Sequence, residues 1–271
     1  MKSENILIPR FHLQSYDSLR LYNKYTCFRC GARFLSSETN SECRFHPGRY
    51  DRHSCMISIK LVLPMYDCCN KAVTAPPCCF NNMHVYEKGF DISKFVNTSS
   101  WPKTPTTESI VSIDCEMCLT DEGRAVVRVS VVNCKLMTIY DTYVKPTSRV
   151  RDYNTLYTGI TEKDLIGCTK TLTDIHRDLS KIISAETILI CHSPEHDFLA
   201  LKVFSIVSKI VHLKVVSTSL VFSDNIFRGR RLRLRVVVEN VLRKKIQREH
   251  FMNSQVLEVI AALKTLYPVW N

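Results

Sequence analysis

The 271-residue sequence has no apolar run long enough to span a bilayer. Its opening residues, MKSENILIPR, lack the continuous apolar core of a signal peptide, so the chain is expected to be soluble and intracellular with no membrane partner. Acidic residues are in deficit, with 26 Asp and Glu against 37 Lys and Arg, a formal charge of +11. The large partner expected from that balance is a polyanion, because Lys and Arg gain by displacing counterions from phosphates. Aliphatic residues are also scarce before Lys60, too scarce for that segment to fold on an apolar core alone.

Cysteine is what the sequence does have. Thirteen is an odd count, and without an export signal a disulfide framework is not expected, which leaves reduced thiols or metal ligands. Most of them fall between Cys27 and Cys79, whereas Cys115, Cys118, Cys134 and Cys191 read as small core residues. Cys27-x2-Cys30 followed by Gly31, then Cys43-x2-His46, supplies two ligand pairs, the number a tetrahedral zinc site needs. Cys69, Cys78 and His84 could supply or exchange ligands instead, including for a second ion.

Along the chain, residues 1–25 read as a leading arm and 26–90 as the Cys/His module. Residues 91–108 read as a linker, rich in Ser, Thr and Pro. From 109 to 271 the pattern is three strands and then alternating helix and strand, an α/β domain. The first strand ends at Glu116, the turn is Thr120 to Gly123, and strands near 125–133 and 137–144 complete an antiparallel meander. A helical turn is expected at 162–165, a helix at 172–183 and a buried strand at 187–191. Ser193 as N-cap and Pro194 at the first position then open a helix whose first turn holds Asp197. Further elements are a strand near 213–216, a helix from Leu234 and a last helix near 251–266.

The stretch SIVSIDCEMC, residues 109–118, organises the rest. Side chains alternate along a strand, so Ile110, Ser112, Asp114 and Glu116 share one face and Val111, Ile113 and Cys115 the other. Two carboxylates so close repel unless a cation lies between them, an arrangement that suits Mg²⁺ or Mn²⁺. Asp197, at the mouth of a strand-to-helix junction, sits where open α/β sheets place their sites. Arg228, Arg230, Arg231, Arg233, Arg235, Arg243, Lys244 and Lys245 form a basic patch dense enough to suggest phosphate contact or a nuclear import signal.

The segments DCEM at Asp114, YDTYVKP at Tyr140, DYNTLYTGIT at Asp152 and TILICHSPEHDFLALK at Thr187, with the late His250, resemble the RNA exonuclease 1 homologue group of DEDDh 3′→5′ exonucleases. The resemblance implies an RNase H-like fold, a mixed central sheet flanked by helices, joined to the small Cys/His-rich module. It implies a two-metal site in which Asp114 bridges both ions, Glu116 and a late Asp hold the water-activating one, and Asp197 reaches the other. His250 would be the general base, and Met117, Thr158, Gly159 and Ile160 would line the pocket for the last nucleotides. The chain departs from the family where it counts: the final metal-binding Asp is Gln255, and Ser217 stands where Asp usually precedes Thr. Glu249 and Glu258 lack the register to replace it.

Three functions compete. A 3′→5′ exoribonuclease, weakened by Gln255 and acting on single-stranded RNA 3′ ends in the nucleus, is expected first. A catalytically inactive RNA-binding pseudo-exonuclease is the alternative, and a protein adaptor built on the cysteine module is the third.

Overall fold

The computed structural model describes residues 24–48, 50, 64–86, 94–204, 214–222 and 231–243. The described residues divide into two compact units, one holding those between 24 and 86 together with 121–123, and the other the rest. Among the described residues no helix is long and apolar enough to cross a membrane.

Among the described residues the smaller unit contains two short antiparallel ladders. β1 (Lys24–Thr26) pairs with β2 (Arg33–Leu35), and β3 (Cys43–Phe45) pairs with β4 (Cys79–Asn81). Ladders of three residues are marginal in water by themselves. Aromatic rings contribute part of the missing support, with Phe34 stacked on His84 at 4.7 Å and Tyr66 stacked on His46 at 3.7 Å.

The larger unit starts earlier than composition suggests. Residues 94–108, read above as a linker, include β5 (Val96–Asn97), which pairs in parallel with β11 (Val203–Phe204). Thr98 is buried, and the Thr106 hydroxyl donates to the Lys181 carbonyl at 2.8 Å. A Ser/Thr-rich stretch can therefore be held by its hydroxyls without an apolar period.

The central sheet is made of β6 (Ile110–Thr120), β7 (Gly123–Asn133), β8 (Thr138–Tyr143), β9 (Val150–Asp152), β10 (Ile188–Cys191) and β12 (Val215–Ser217). Their order is β12-β10-β6-β7-β8, with β9 also pairing β6. The β7–β8 and β6–β9 pairs are antiparallel, while β10 runs parallel to both β6 and β12, so the sheet is mixed. β6 runs four residues beyond Glu116, because Leu119 and Thr120 find partners on β9.

Among the described residues five α-helices accompany the sheet: α1 (Thr155–Thr158), α2 (Leu172–Ile182), α3 (Glu195–Leu201), α4 (Thr218–Val221) and α5 (Leu234–Leu242). α2 begins in a reciprocal cap, the Asp174 carboxylate accepting the Thr171 amide at 2.9 Å, and buries Ile175 and Leu179. These join Val111, Ile113, Cys115, Phe198 and Leu201 in one core. A smaller cluster of Cys118, Val127 and Ile160 gathers even-numbered Cys118 apart from odd-numbered Val111, Ile113 and Cys115, as strand alternation requires.

Candidate functional site

β10 pairs with β6 only as far as Ile190 opposite Ser112, and β9 takes up pairing again at Leu119. Asp114 and Glu116 lie in the interval between, on the strand face opposite Cys115, which is buried in the core. After β10 the chain turns through Ser193, held at φ 55°, and Pro194 into α3. Pro194 rather than Ser193 is the N-cap, so the helix starts one residue later than the sequence signals suggest. Asp197 still falls in the first turn.

The buried Asp197 carboxyl accepts the backbone N–H of Cys115, a ladder donor available where β10 has ended. Burial first, then the charges of Asp114 and Glu116, push its pKa well above the usual carboxylate range. Burial and the Asp114 charge likewise push Glu116 up to about 8, against a smaller opposing pull from Arg128. The three acids therefore share one field at one end of the sheet. α3 stays in place despite this carboxyl because Phe198 and Leu201 are fully buried beside it, each contributing about 1.5–3 kcal/mol.

Arg128 and Asp141 form a feature of this site that sequence reasoning missed. Asp141 on β8 accepts Arg128 Nε at 2.7 Å and Nη2 at 2.5 Å, and also the Ser130 hydroxyl at 2.9 Å. This fork holds the guanidinium within reach of the Glu116 charge. Its sequence signal was present in the meander, since adjacent antiparallel strands place Ser130 opposite Asp141.

Of the residues expected to line the nucleotide pocket, two are inside the fold. Thr158 and Ile160 are buried; the Thr158 hydroxyl donates to the Tyr153 carbonyl at 3.0 Å, and Ile160 packs with Cys118 and Val127. Gly159 closes α1 at φ 67°, a backbone role that glycine fills without strain. On that turn it is Leu156 and Tyr157 that expose apolar surface. Met117 is half-buried against the main core. Ser217 is buried, with its hydroxyl 2.9 Å from that of Ser219.

Of the basic patch, Arg231 is ion-paired to Glu195, while Arg233 and Arg243 lie at the two ends of α5 and are exposed. The backbone of Arg235 lies within α5. Arg228, Arg230, Lys244, Lys245, His250 and Gln255 lie outside the described residues, as does the helix expected near 251–266.

The Cys/His ligands sort into two groups, neither of which is the set expected from spacing. Cys27, Cys30, Cys43 and His84 bring their ligand atoms together, as do His46, Cys68, Cys69 and Cys78, all within 4.8 Å in each group. Cys27-x2-Cys30 works as a pair because residues 28–30 form a turn closed by Gly31 at φ 72°, with Gly31 N–H donating to the Cys27 carbonyl at 2.9 Å. Cys43-x2-His46 does not, because Cys43–Phe45 is a strand. Three extended residues span about 10 Å and end on the opposite face, so His46 is carried away and His84 completes the first group. Cys134, expected in the core, is exposed.

In the first group Cys27 and Cys43 sulfurs are 3.6 Å apart, and Cys30 Sγ is 3.4 Å from His84 Nδ1. A disulfide would need about 2.0 Å, whereas a tetrahedron with metal–sulfur bonds of about 2.3 Å has edges of about 3.8 Å. Burial opposes ionisation of Cys27, but the amides of Cys30, Val85 and Arg29 and the His84 ring bring it down to about 6. Burial and that neighbouring sulfur push Cys43 up to about 12, so Cys27 is the readier thiolate and Cys43 ionises only against a cation.

No protein-family model matches the chain. Human RNA exonuclease 1 homolog is 35% identical over 229 residues, 82% of this chain and 18% of that protein. Small RNA degrading nuclease 2 of Arabidopsis thaliana is 37% identical over 188 residues, 64% of this chain and 39% of that one. RNA exonuclease 1 of Saccharomyces cerevisiae is 41% identical over 139 residues, 51% and 24% respectively. The chain thus spans between 18% and 39% of the length of these relatives. Among solved structures, the Saccharomyces cerevisiae Pan2 pseudoubiquitin hydrolase-RNA exonuclease module in complex with AAGGA RNA matches at TM-score 0.50 and 16% identity, covering 90% of this chain and 47% of that one. At that identity the likeness concerns the fold alone, a mixed sheet with flanking helices.

Proposed function

The chain is related in sequence to the RNA exonuclease 1 homologue group, and from that relationship we propose that it is a 3′→5′ exoribonuclease dependent on divalent cations. The observation that supports this most is the bond from the Cys115 amide to Asp197, within the field of Asp114 and Glu116. Mutually opposing carboxyl groups, two of them biased toward the protonated form, are a donor set suited to hard cations such as Mg²⁺ or Mn²⁺. Asp114, Glu116 and Asp197 would hold them in the two-ion manner of the family. When bound, such ions supply charge neutralisation and Lewis acidity at the scissile phosphate.

The chain's own residues do the remaining work. Asp197 is fixed by the hydrogen bond it accepts from the Cys115 N–H and by the packing of α3, and Arg128, clamped by Asp141, limits the rise of the Glu116 pKa. His250 is assigned the proton of the attacking water, since imidazole titrates near neutrality. Single-stranded RNA with a free 3′ end is the substrate, and the exposed Arg233 and Arg243, with the basic residues around them, contact its phosphates and direct the protein to the nucleus. Cys27, Cys30, Cys43 and His84 hold a structural zinc ion, for which three sulfurs and one imidazole are a common closed set.

Gln255 supports a second reading, an RNA-binding pseudo-exonuclease. An amide at the family's last carboxylate removes one negative charge from a site whose ion affinity follows charge count. A 5′-labelled single-stranded RNA incubated with Mn²⁺ separates the two. Shortening from the 3′ end that Asp114→Ala abolishes supports the nuclease. RNA that is bound yet left intact by both wild type and Gln255→Asp supports the second reading.

A further inference from the structure

We propose that His46, Cys68, Cys69 and Cys78 form a second structural zinc site, nested within the chain loop that the first Cys/His group closes. The proposal is independent of the nuclease reading. All four residues fall between Cys43 and His84, so closing the first group encloses the second in sequence.

The side-chain geometry matches a four-coordinate ion. Cys68 and Cys78 sulfurs are 3.7 Å apart, and His46 Nδ1 lies 3.8 Å from Cys68 Sγ and 3.6 Å from Cys69 Sγ. These are the edges of a tetrahedron around Zn²⁺, about 3.8 Å, and not a disulfide. The imidazole is already oriented as a ligand. Its Nε2–H donates to the Ala75 carbonyl at 3.3 Å, leaving the Nδ1 lone pair toward the sulfurs, and its ring lies flat on Tyr66. A carbonyl behind a histidine in this way fixes tautomer and direction in metal sites.

The backbone around Cys68 is shaped for the same purpose. The Gly48 N–H donates to the Cys68 sulfur, tying the two loops together at the ligand. Gly48 comes so close that a Cβ there would lie 2.5 Å from the Cys68 amide nitrogen and 2.6 Å from its Cβ. Only glycine permits that approach. The β3–β4 ladder then joins the two groups. Cys43 opposite Asn81 leads toward the first group, and Phe45 opposite Cys79 brings His46 and Cys78 together at the other end. Cys79 is exposed and is not one of the four ligands.

Native mass spectrometry of the full chain, purified under reducing conditions with zinc present, counts the ions directly. The expected mass is the reduced chain plus two zinc ions, falling to one in Cys69→Ser and in Gly48→Ala. Alkylation of the folded wild type needs no variant and uses the exposed Cys134 as its reference. Cys68, Cys69 and Cys78 should react at least ten-fold more slowly than Cys134 and catch up after chelation. A wild type holding one ion, or these thiols reacting as fast as Cys134 before chelation, would overturn the proposal.

Discussion

Replacing Glu116 by Gln should flatten the pH dependence of stability in protein prepared without added Mg²⁺ or Mn²⁺. Glu116 has its pKa raised from 4.5 to about 8, by burial and then by Asp114. Between those values the folded protein keeps a proton that the unfolded chain has released, so stability falls as pH rises and the loss is complete above about 8. At about 1.4 kcal/mol for each pKa unit the full shift would be worth about 5 kcal/mol. Glu116 is partly exposed, and solvent screening reduces the expected loss to roughly 2–4 kcal/mol. In a thermal melt that corresponds to about 5–15 °C between pH 5 and 8. The wild type minus Glu116→Gln difference isolates this contribution from other titrating groups. Adding Mn²⁺ at pH 8 should restore the wild type, because the cation replaces the proton, and should restore the variant much less. Parallel pH curves for the two proteins without added cation would refute the electrostatic reasoning.

Arg128→Met removes the cation that lowers the Glu116 pKa, so the onset of Mn²⁺-dependent RNA shortening should move to higher pH by about one unit, read from a pH–rate profile. His84→Ala should release metal from the small unit, whereas Met117→Leu should not, as measured by zinc content after gel filtration. Gln255→Asp should raise Mn²⁺-dependent RNA shortening at least ten-fold if the missing carboxylate limits turnover. Phe198→Ala should cost about 3–5 kcal/mol in chemical denaturation and weaken Mn²⁺ binding with it, since Phe198 is the fully buried neighbour of Asp197 on α3.

Much of the larger unit was legible because its signals are local. Alternation from Ile110 to Glu116 put Asp114 and Glu116 together and turned Cys115 inward, and the structure buries Cys115 in the main core. The apolar positions of α2 read its buried face, and a strand followed by Ser-Pro placed Asp197 in a first helical turn. The extension of β6 past Glu116 depended on pairing with β9, a partner some thirty residues on that local pattern does not reveal. Ligand grouping failed for a related reason. Cys-x2-Cys and Cys-x2-His look equivalent as spacing, but one lies in a turn and the other starts in a strand, and only the backbone decides which pair can share an ion. Residues 94–108 are held by hydroxyl bonds and a two-residue parallel pair, which leave no apolar period to read.

If Asp114, Glu116 and Asp197 form one cation site, titrating Mn²⁺ into the purified chain and following the free ion by electron paramagnetic resonance will show it. Wild type should bind Mn²⁺, and Asp114→Ala and Asp197→Ala should each weaken binding at least ten-fold. Binding that is lost in Asp114→Ala yet unchanged in Asp197→Ala would contradict it.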